Sequence, residues 1–221
     1  MSRVLSVNQA RPMPNPAKAT KVTGIDKVST DDAVPVQAPG PSRSGPGAGL
    51  AGDLIGNRKF HGGDDQAVYA YAREDLDGWQ ATLDRTLTNG QFGENLTTSG
   101  VDVTGALVGE RWHVGTDGLI LEVTSPRTPC RTFAAFLGVR GWIKTFTQAA
   151  QPGAYLRVIQ PGSVRAGDGI VVSDRPAHGV TVGMVFRAIS GEPELLDRLT
   201  DIEALPEKIR KLARDRTARP A

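Results

Sequence analysis

Cysteine is almost absent from this chain: 221 residues hold one, Cys130. A single cysteine cannot close an internal disulfide, so nothing here asks for an oxidising compartment. Iron–sulfur ligation, which needs several thiolates, is excluded as well. Histidine is scarce too. His61, His113 and His178 lie far apart in the chain, and with no second cysteine beside them they make no zinc signature. Long apolar runs are missing. No segment approaches the ~20 apolar residues that span a bilayer, and the opening "MSRVLSVNQARPMP" is too briefly apolar for a signal-peptide core. A cytoplasmic protein with no membrane partner is expected. Excess charge is missing as well: a net charge of +2 is too small to imply a nucleic-acid partner. Basic residues do gather in "KIRKLARDRTARP", which reads as the wet face of a last helix followed by a frayed tail. No G-x-S-x-G, phosphate-binding P-loop or dinucleotide fingerprint is found.

What is plentiful is glycine, 26 residues, and proline, 15, which favour turns and short strands. "RVLSV" (Arg3 to Val7), "TKVTGI" and "AVPVQ" read as strands. "APGPSRSGPGAG" (Ala38 to Gly49) reads as an exposed loop inserted within the domain. From Val68 the period changes: Val68, Ala72, Leu76, Trp79 and Leu83 recur at helical spacing, which predicts an amphipathic helix from about Gln66 to Leu87. Asp64 and Asp65 stand where a helix start favours carboxylates. "ENLTTSG", "ALVGERWHV" and "GLILEVTS" then read as strands. "RTFAAFLG", closed by Gly138, and "GWIKTFTQAA" read as two compact helices. Strands resume in "AYLRVIQPG", "SVRAG" and "GIVVSD". The last forty residues carry three helical patterns, with Thr181 placed to cap the first and Pro206 suited to the opening of the third. The expected architecture is α+β, mainly β: a barrel with interspersed helices over residues 1–176, then a three-helix segment over 177–221.

Three stretches offer chemistry. In "SPRTPCRTF", Arg127 and Arg131 flank Cys130, and cations there would favour a thiolate if they point the same way. A helix starting just after the cysteine would add its positive end. Such a sulfur serves as nucleophile, redox centre or soft-metal ligand, but a free cysteine also packs well as a small hydrophobe, and both readings stand. In "RKFHGGDDQAVYAY", the glycine pair Gly62 and Gly63 precedes a helix start. Backbone N–H groups converge on anions at such turns, and Arg58, Lys59 and His61 add positive charge. A plain turn that needs unusual backbone angles would use the same glycines. In "GQFGENLTTSG", Glu94 and Asn95 lie between a glycine turn and a strand. They either face a cleft, where Asn95 offers donor and acceptor to a heterocycle edge, or tie the loop to backbone.

Taken in order, "TGI", "LAGD", "FHGG", "QAVYAYAREDLDGW", "FGENLTTSG", "SPRTPC" and "GAYLRVIQPGSVRAGD" resemble the bacterial MOSC family, the molybdenum cofactor sulfurase C-terminal domain. The resemblance runs from about Leu5 to Asp174 and includes the type with a helical C-terminal appendage. It implies a β-barrel with a cleft for a molybdenum–pterin cofactor in its molybdopterin form, and it makes Cys130 the protein's ligand to molybdenum, a metal suited by soft sulfur donors. The cofactor's phosphate calls for cations and free backbone donors, for which Arg58, Lys59, Gly62, Gly63, Arg127 and Arg131 are candidates, with His61 beside them. Asn95 and Glu94 match the family's Asn-containing loop, and Gln66 is placed to hydrogen-bond. Pyridoxal phosphate binding is a further attribute carried by the resemblance. Two departures stand out: Glu110 in "VGERW" replaces an aspartate, and the insertion between Ala38 and Gly49 is long.

The activity so implied is reduction of N-hydroxylated compounds, such as hydroxylaminopurines, to amines. Electrons would come from a separate reductase, since the chain has no cluster or flavin site; a homodimer is one option for its assembly. The alternative is a carrier or binding module, with Cys130 holding sulfur as a persulfide or anchoring the cofactor for delivery. A barrel with a vestigial pocket is a third reading.

Overall fold

In the computed structural model, which describes residues 1–217, short strands alternate with tight turns as the glycine content demands. The chain opens with β1 (Arg3–Ala10), the hairpin β2 (Met13–Asn15) and β3 (Lys18–Thr23), then β4 (Lys27–Thr30) and β5 (Val34–Val36). An irregular segment leads through a 3-10 turn, Asp64–Gln66, into β6 (Val68–Ala72) and α1 (Arg73–Leu83). Then come β7 (Leu96–Ser99), β8 (Arg111–Val114), β9 (Leu119–Pro126), α2 (Arg131–Leu137), α3 (Trp142–Ala149), β10 (Ala154–Gln160), β11 (Gly162–Val164) and β12 (Ile170–Ser173). The chain finishes with α4 (Val182–Ser190), a 3-10 segment (Pro193–Leu199) and α5 (Glu207–Thr217). The expectation of a frayed tail falls on residues 218–221 and lies outside the described residues.

The α+β class stands, but the barrel is corrected to an open sheet. Eight strands run in the order β12-β8-β9-β10-β6-β7-β1-β4. The edge of β1 opposite β7 is divided. Val7 to Ala10 pair with β4, leaving only the first residues to meet the far end, through the Arg3–Gly169 bridge and hydrogen bonds from Val4 N to Asp168 O (2.8 Å) and Ile170 N to Ser2 O (2.9 Å). This contact is antiparallel and runs from Gly169 back to Gly167 as β1 advances, so β12 itself leaves β1 at Ser2 and the sheet curls without a closing ladder.

The helix expected from Gln66 to Leu87 is also corrected. Val68–Ala72 form a strand, buried at every position, antiparallel to β10 and parallel to β7. A strand covered on both faces shows no alternation, so its apolar spacing passes for a helical stripe. The helix begins only at Arg73, with Glu74 and Asp75 in its first turn, and ends before Asp84, whose φ of 48° is left-handed.

Two apolar layers frame the sheet. One lines its inner face, including Val4, Val68, Leu96, Leu121 and Leu156. The other is aromatic and lies under α1, α2 and α3. Phe92 meets Tyr71, Phe133 and Trp142 edge-on at 5.0, 5.1 and 5.5 Å. Fully burying such a ring stabilises by roughly 1.5–3 kcal/mol, and each edge-on pair adds about 0.5–1.5 kcal/mol. That is enough to fix the short helix α2, and with it the residue that precedes it, Cys130. Gly138 closes α2 in the left-handed conformation, φ 69°, as its sequence indicates.

In the C-terminal stretch Thr181 caps α4 by accepting from Met184 N at 3.1 Å. The middle helical piece is 3-10 rather than α. Val180, Val185, Leu196, Leu199, Leu205 and Ile209 pack around Val108, forming a third cluster.

Candidate functional site

A cavity of about 810 Å³ opens beside α2. The β2–β3 hairpin forms one wall and is pinned there by Asn15 Nδ2, which donates to Thr132 Oγ1 at 2.9 Å. The rest comes from the stretch 23–27, the segment 54–62, Gln66, the ends of β6 and β10, Gly93 and Asn95 of the loop before β7, the run 127–132 and the start of α5.

Cys130 lies on this wall. It stands at the N-cap of α2, is half-buried, and its thiol makes no capping hydrogen bond. Arg127 sits beside it, almost fully buried, sandwiched against the rings of Phe133 (4.1 Å) and Tyr69 (5.1 Å) and donating to the Phe92 carbonyl. Six cationic side chains line the cavity: Lys18, Lys21, Lys27, Arg127, Arg131 and Lys208. Among the described residues no carboxylate lines it. In a chain with 24 acidic and 26 basic residues, that segregation gives the hollow a positive potential.

The six cations differ in freedom. Lys27 is paired with Asp53 at 2.5 Å; burial pushes its ammonium down from the ordinary lysine value, and Asp53 opposes the shift. Arg127 is held as described. Lys18, Lys21, Arg131 and Lys208 are free of hydrogen bonds and ion pairs to the described residues. His61 also faces the cavity. Burial first, then Arg127 and Lys208, push its imidazole down to about 4, so it is neutral at physiological pH. Tyr155, on β10, lines the wall near Cys130; burial pushes its hydroxyl up, opposed by Arg127 and reinforced by the cysteine.

The sequence-level candidates divide accordingly. The structure brings Cys130, His61, Gly62, Gln66, Asn95, Arg127 and Arg131 to one cavity. Arg58, Lys59, Gly63 and Glu94 do not line it. Arg58 donates to the Gly45 and Pro46 carbonyls (2.8 and 3.0 Å) and holds the inserted loop. Lys59 stacks on Phe60 at 5.4 Å. The paired-glycine anion turn is corrected: Gly62 N donates to Gln66 Oε1 (3.2 Å) and Gly63 N to Gly47 O (3.0 Å), so neither amide is free for a ligand. Gly62 has φ 80°, and a side chain there would meet Gly47 O, so the glycines serve the turn itself. Glu94 is fully buried and accepts from Gly90 N (2.7 Å), Phe92 N (3.0 Å) and Thr97 Oγ1 (2.8 Å). Asn95 reaches the wall, but its amide is occupied by Tyr69 N (3.1 Å) and Asp53 Oδ2 (2.9 Å). Both tie the loop to backbone, the second of their two readings. Lys18, Lys21, Lys27, Tyr155 and Lys208 were not indicated by any sequence spacing.

The matched domain carries part of the cavity wall; the β2–β3 hairpin, Lys27 and Lys208 lie outside it. A MOSC domain matches residues 57–171, the stretch that supplies Cys130, Arg127 and His61. The chain belongs to the MOSC family. Among its relatives, the protein YflK of Bacillus subtilis (strain 168) is 32% identical over 185 residues, covering 83% of this chain and 79% of YflK. A protein named reductase from Gibberella moniliformis is 29% identical over 149 residues; the match covers 66% of this MOSC chain but only 26% of that longer protein. The crystal structure of YiiM from Geobacillus stearothermophilus superposes with a TM-score of 0.78 at 24% identity, over 99% of this chain and 100% of YiiM, a likeness of fold. MOSC domains are associated in general with molybdenum-cofactor binding. Pyridoxal phosphate is named by none of these matches, and that attribute is withdrawn. No helix among the described residues is long and apolar enough to cross a membrane.

Proposed function

We propose that this MOSC protein binds a molybdenum–pterin cofactor through Cys130 and reduces N-hydroxylated compounds to amines. One observation carries the reading: an unbonded, half-buried thiol opens onto a cavity lined with cations and without carboxylates. The donor set fits the group. A lone soft sulfur suits molybdenum, and unpaired lysine and arginine side chains suit a phosphate.

When bound, such a cofactor supplies two-electron reduction at the metal. The chain's own residues do the rest. Cys130 would hold the metal by its sulfur, and Arg127, fixed between two rings, keeps a positive charge beside it. Tyr155 stays protonated and His61 neutral; both line the cavity that Cys130 lines and are the groups there assigned to pass a proton. In the reaction the N–O bond breaks, two electrons and two protons enter, nitrogen remains as the amine and oxygen leaves as water. The electrons come from a separate reductase protein.

The test is metal content alongside turnover. Protein from molybdenum-replete cells should hold near-stoichiometric molybdenum and pterin, and Cys130→Ser should lose both the metal and reduction of 6-hydroxylaminopurine. Wild type without molybdenum, or a serine variant that reduces substrate equally well with an artificial donor, overturns the reading. Extra sulfur on Cys130 in a metal-free protein points instead to a carrier.

A further inference from the structure

The cavity holds more positive charge than one cofactor phosphate needs. A phosphate monoester carries about −1.5 to −2 at neutral pH. Arg127 and Arg131 flank Cys130, so they already match such a group near the metal ligand. Lys18, Lys21 and Lys208 remain. All three are exposed and free of hydrogen bonds and ion pairs to the described residues, whereas Cys130 is half-buried and Arg127 buried. The unpaired lysines therefore stand toward the mouth, with the reacting end of the cavity behind them. At about 810 Å³ the cavity lies in the upper part of the usual ~300–1,000 Å³ range for ligand sites.

Lys208 is there by construction. The residues before α5 are clamped to the sheet by Arg157, which donates to Asp65 Oδ1 (2.5 Å), Glu122 Oε1 (2.7 Å) and the Ala204 carbonyl (3.3 Å). Asp65 belongs to the 3-10 turn that runs into the cavity wall at Gln66. Lys208's neighbour Glu207 is turned to its own helix, bound by Arg210 (2.8 Å) and Arg214 (2.5 Å), so the nearest carboxylate in sequence is kept from neutralising the lysine. Two separate arrangements thus bring an ammonium to the mouth and leave it unpaired.

We propose that the substrate is taken as a phosphate ester, the nucleotide of an N-hydroxylated base rather than the free base, with Lys208, Lys18 and Lys21 receiving its phosphate. The reaction it undergoes rests on the reductase reading above; the binding does not. A free base whose N–O group points at Cys130 would leave the three ammonium groups at the mouth solvated and without an anionic partner. A nucleotide places its phosphate at that end.

Two measurements test this on the cofactor-loaded protein. The first compares kcat/KM for 6-hydroxylaminopurine with that for its ribonucleoside 5′-monophosphate. The nucleotide should be preferred by about tenfold or more, and Lys208→Gln should shrink that preference about tenfold, through KM. Equal values for base and nucleotide in the wild type, or a preference untouched by Lys208→Gln, overturn the proposal. The second is calorimetric binding of AMP, which needs no turnover. Binding should weaken with added salt and fall in Lys208→Gln and in Lys18→Gln/Lys21→Gln; no binding, or binding indifferent to these variants, overturns it. If mass spectrometry of the extracted cofactor shows a nucleotide extension, the lysines belong to the cofactor and the proposal also falls. Should neither base nor nucleotide be reduced while AMP binds as expected, the reductase reading fails and the phosphate site stands.

Discussion

Lys27 Nζ lies 2.5 Å from Asp53 Oδ1, with 4% and 1% of the two side chains exposed. The aspartate is shared: Oδ1 also accepts from Ala10 N (2.8 Å), and Oδ2 from Asn95 Nδ2 (2.9 Å). One buried carboxylate thus joins β1, the start of β4 and the Asn95 loop under the cavity. Removing one partner of a buried pair leaves an uncompensated charge and typically costs about 3–5 kcal/mol. Lys27→Met should therefore destabilise by about 3 kcal/mol, and Lys27→Met with Asp53→Asn should recover part of that loss. Urea denaturation reads both, and a single-variant loss below about 1 kcal/mol would contradict the pairing.

His61 and Asp75 should pull stability in opposite directions with pH. His61 is pushed down to about 4 from 6.5 by burial, then by Arg127 and Lys208. The unfolded chain binds its proton first, so this contribution is full above pH 6.5 and lost as pH falls toward 4. Asp75 is pushed up to about 6 from 3.8, chiefly by burial, with Thr104 opposing and Asp102 and Glu74 reinforcing. Its contribution is full below 3.8 and lost as pH rises through 6. Each is worth up to about 3 kcal/mol at its limit. Between pH 4 and 6 they largely cancel in the wild type. His61→Gln should thus show stability falling with pH across that window, and Asp75→Asn stability rising. Identical slopes in the two variants would refute both assignments.

Glu94→Gln tests whether the buried carboxylate is structural. A glutamine amide must turn an NH2 toward at least one of the donors that Glu94 now accepts from, the amides of Gly90 and Phe92 or the Thr97 hydroxyl. Leaving buried donors unmet costs about 1–3 kcal/mol. The Phe92 carbonyl anchors Arg127, so the thermal midpoint should drop and cofactor retention should fall with it. An unchanged midpoint with lost activity would instead make Glu94 a ligand-facing group.

Cys130→Ser separates folding from function. The thiol is half-buried and makes no capping bond, so the serine variant should lie within about 1 kcal/mol of wild type in a cofactor-free denaturation experiment. The sulfur also packs against the aromatic cluster, and a loss well above that would make packing its main contribution to the fold.

Cys130 drew attention in the sequence as the chain's one thiol, set between two cations, and the structure places it on the cavity wall. Gly138 and Thr181 were legible because helix ends need those residue types locally. The strand Val68–Ala72 was not, since a strand buried on both faces lacks the alternation that distinguishes it from a helix. The glycine pair misled for a related reason: one partner of its amides, Gly47 O, is set by how the inserted loop folds back, and the other, Gln66 Oε1, by the adjoining 3-10 turn. Glu94 and its near neighbours read equally well as cleft or scaffold until burial decided between them. Lys18, Lys21 and Lys208 were invisible because lysine is ordinarily solvated and the three converge from opposite ends of the chain.

The divided edge of β1 bears on how this protein forms. Val4 N donates to Asp168 O and Gly167 N to Val4 O, both at 2.8 Å, so the first strand acquires these neighbours only after some 160 further residues have been made. Until then the N-terminal segment has an unsatisfied flank, and contacts this distant in sequence form slowly. During translation the early strands therefore wait for a partner still inside the ribosome, which is the interval in which a chaperone would bind them.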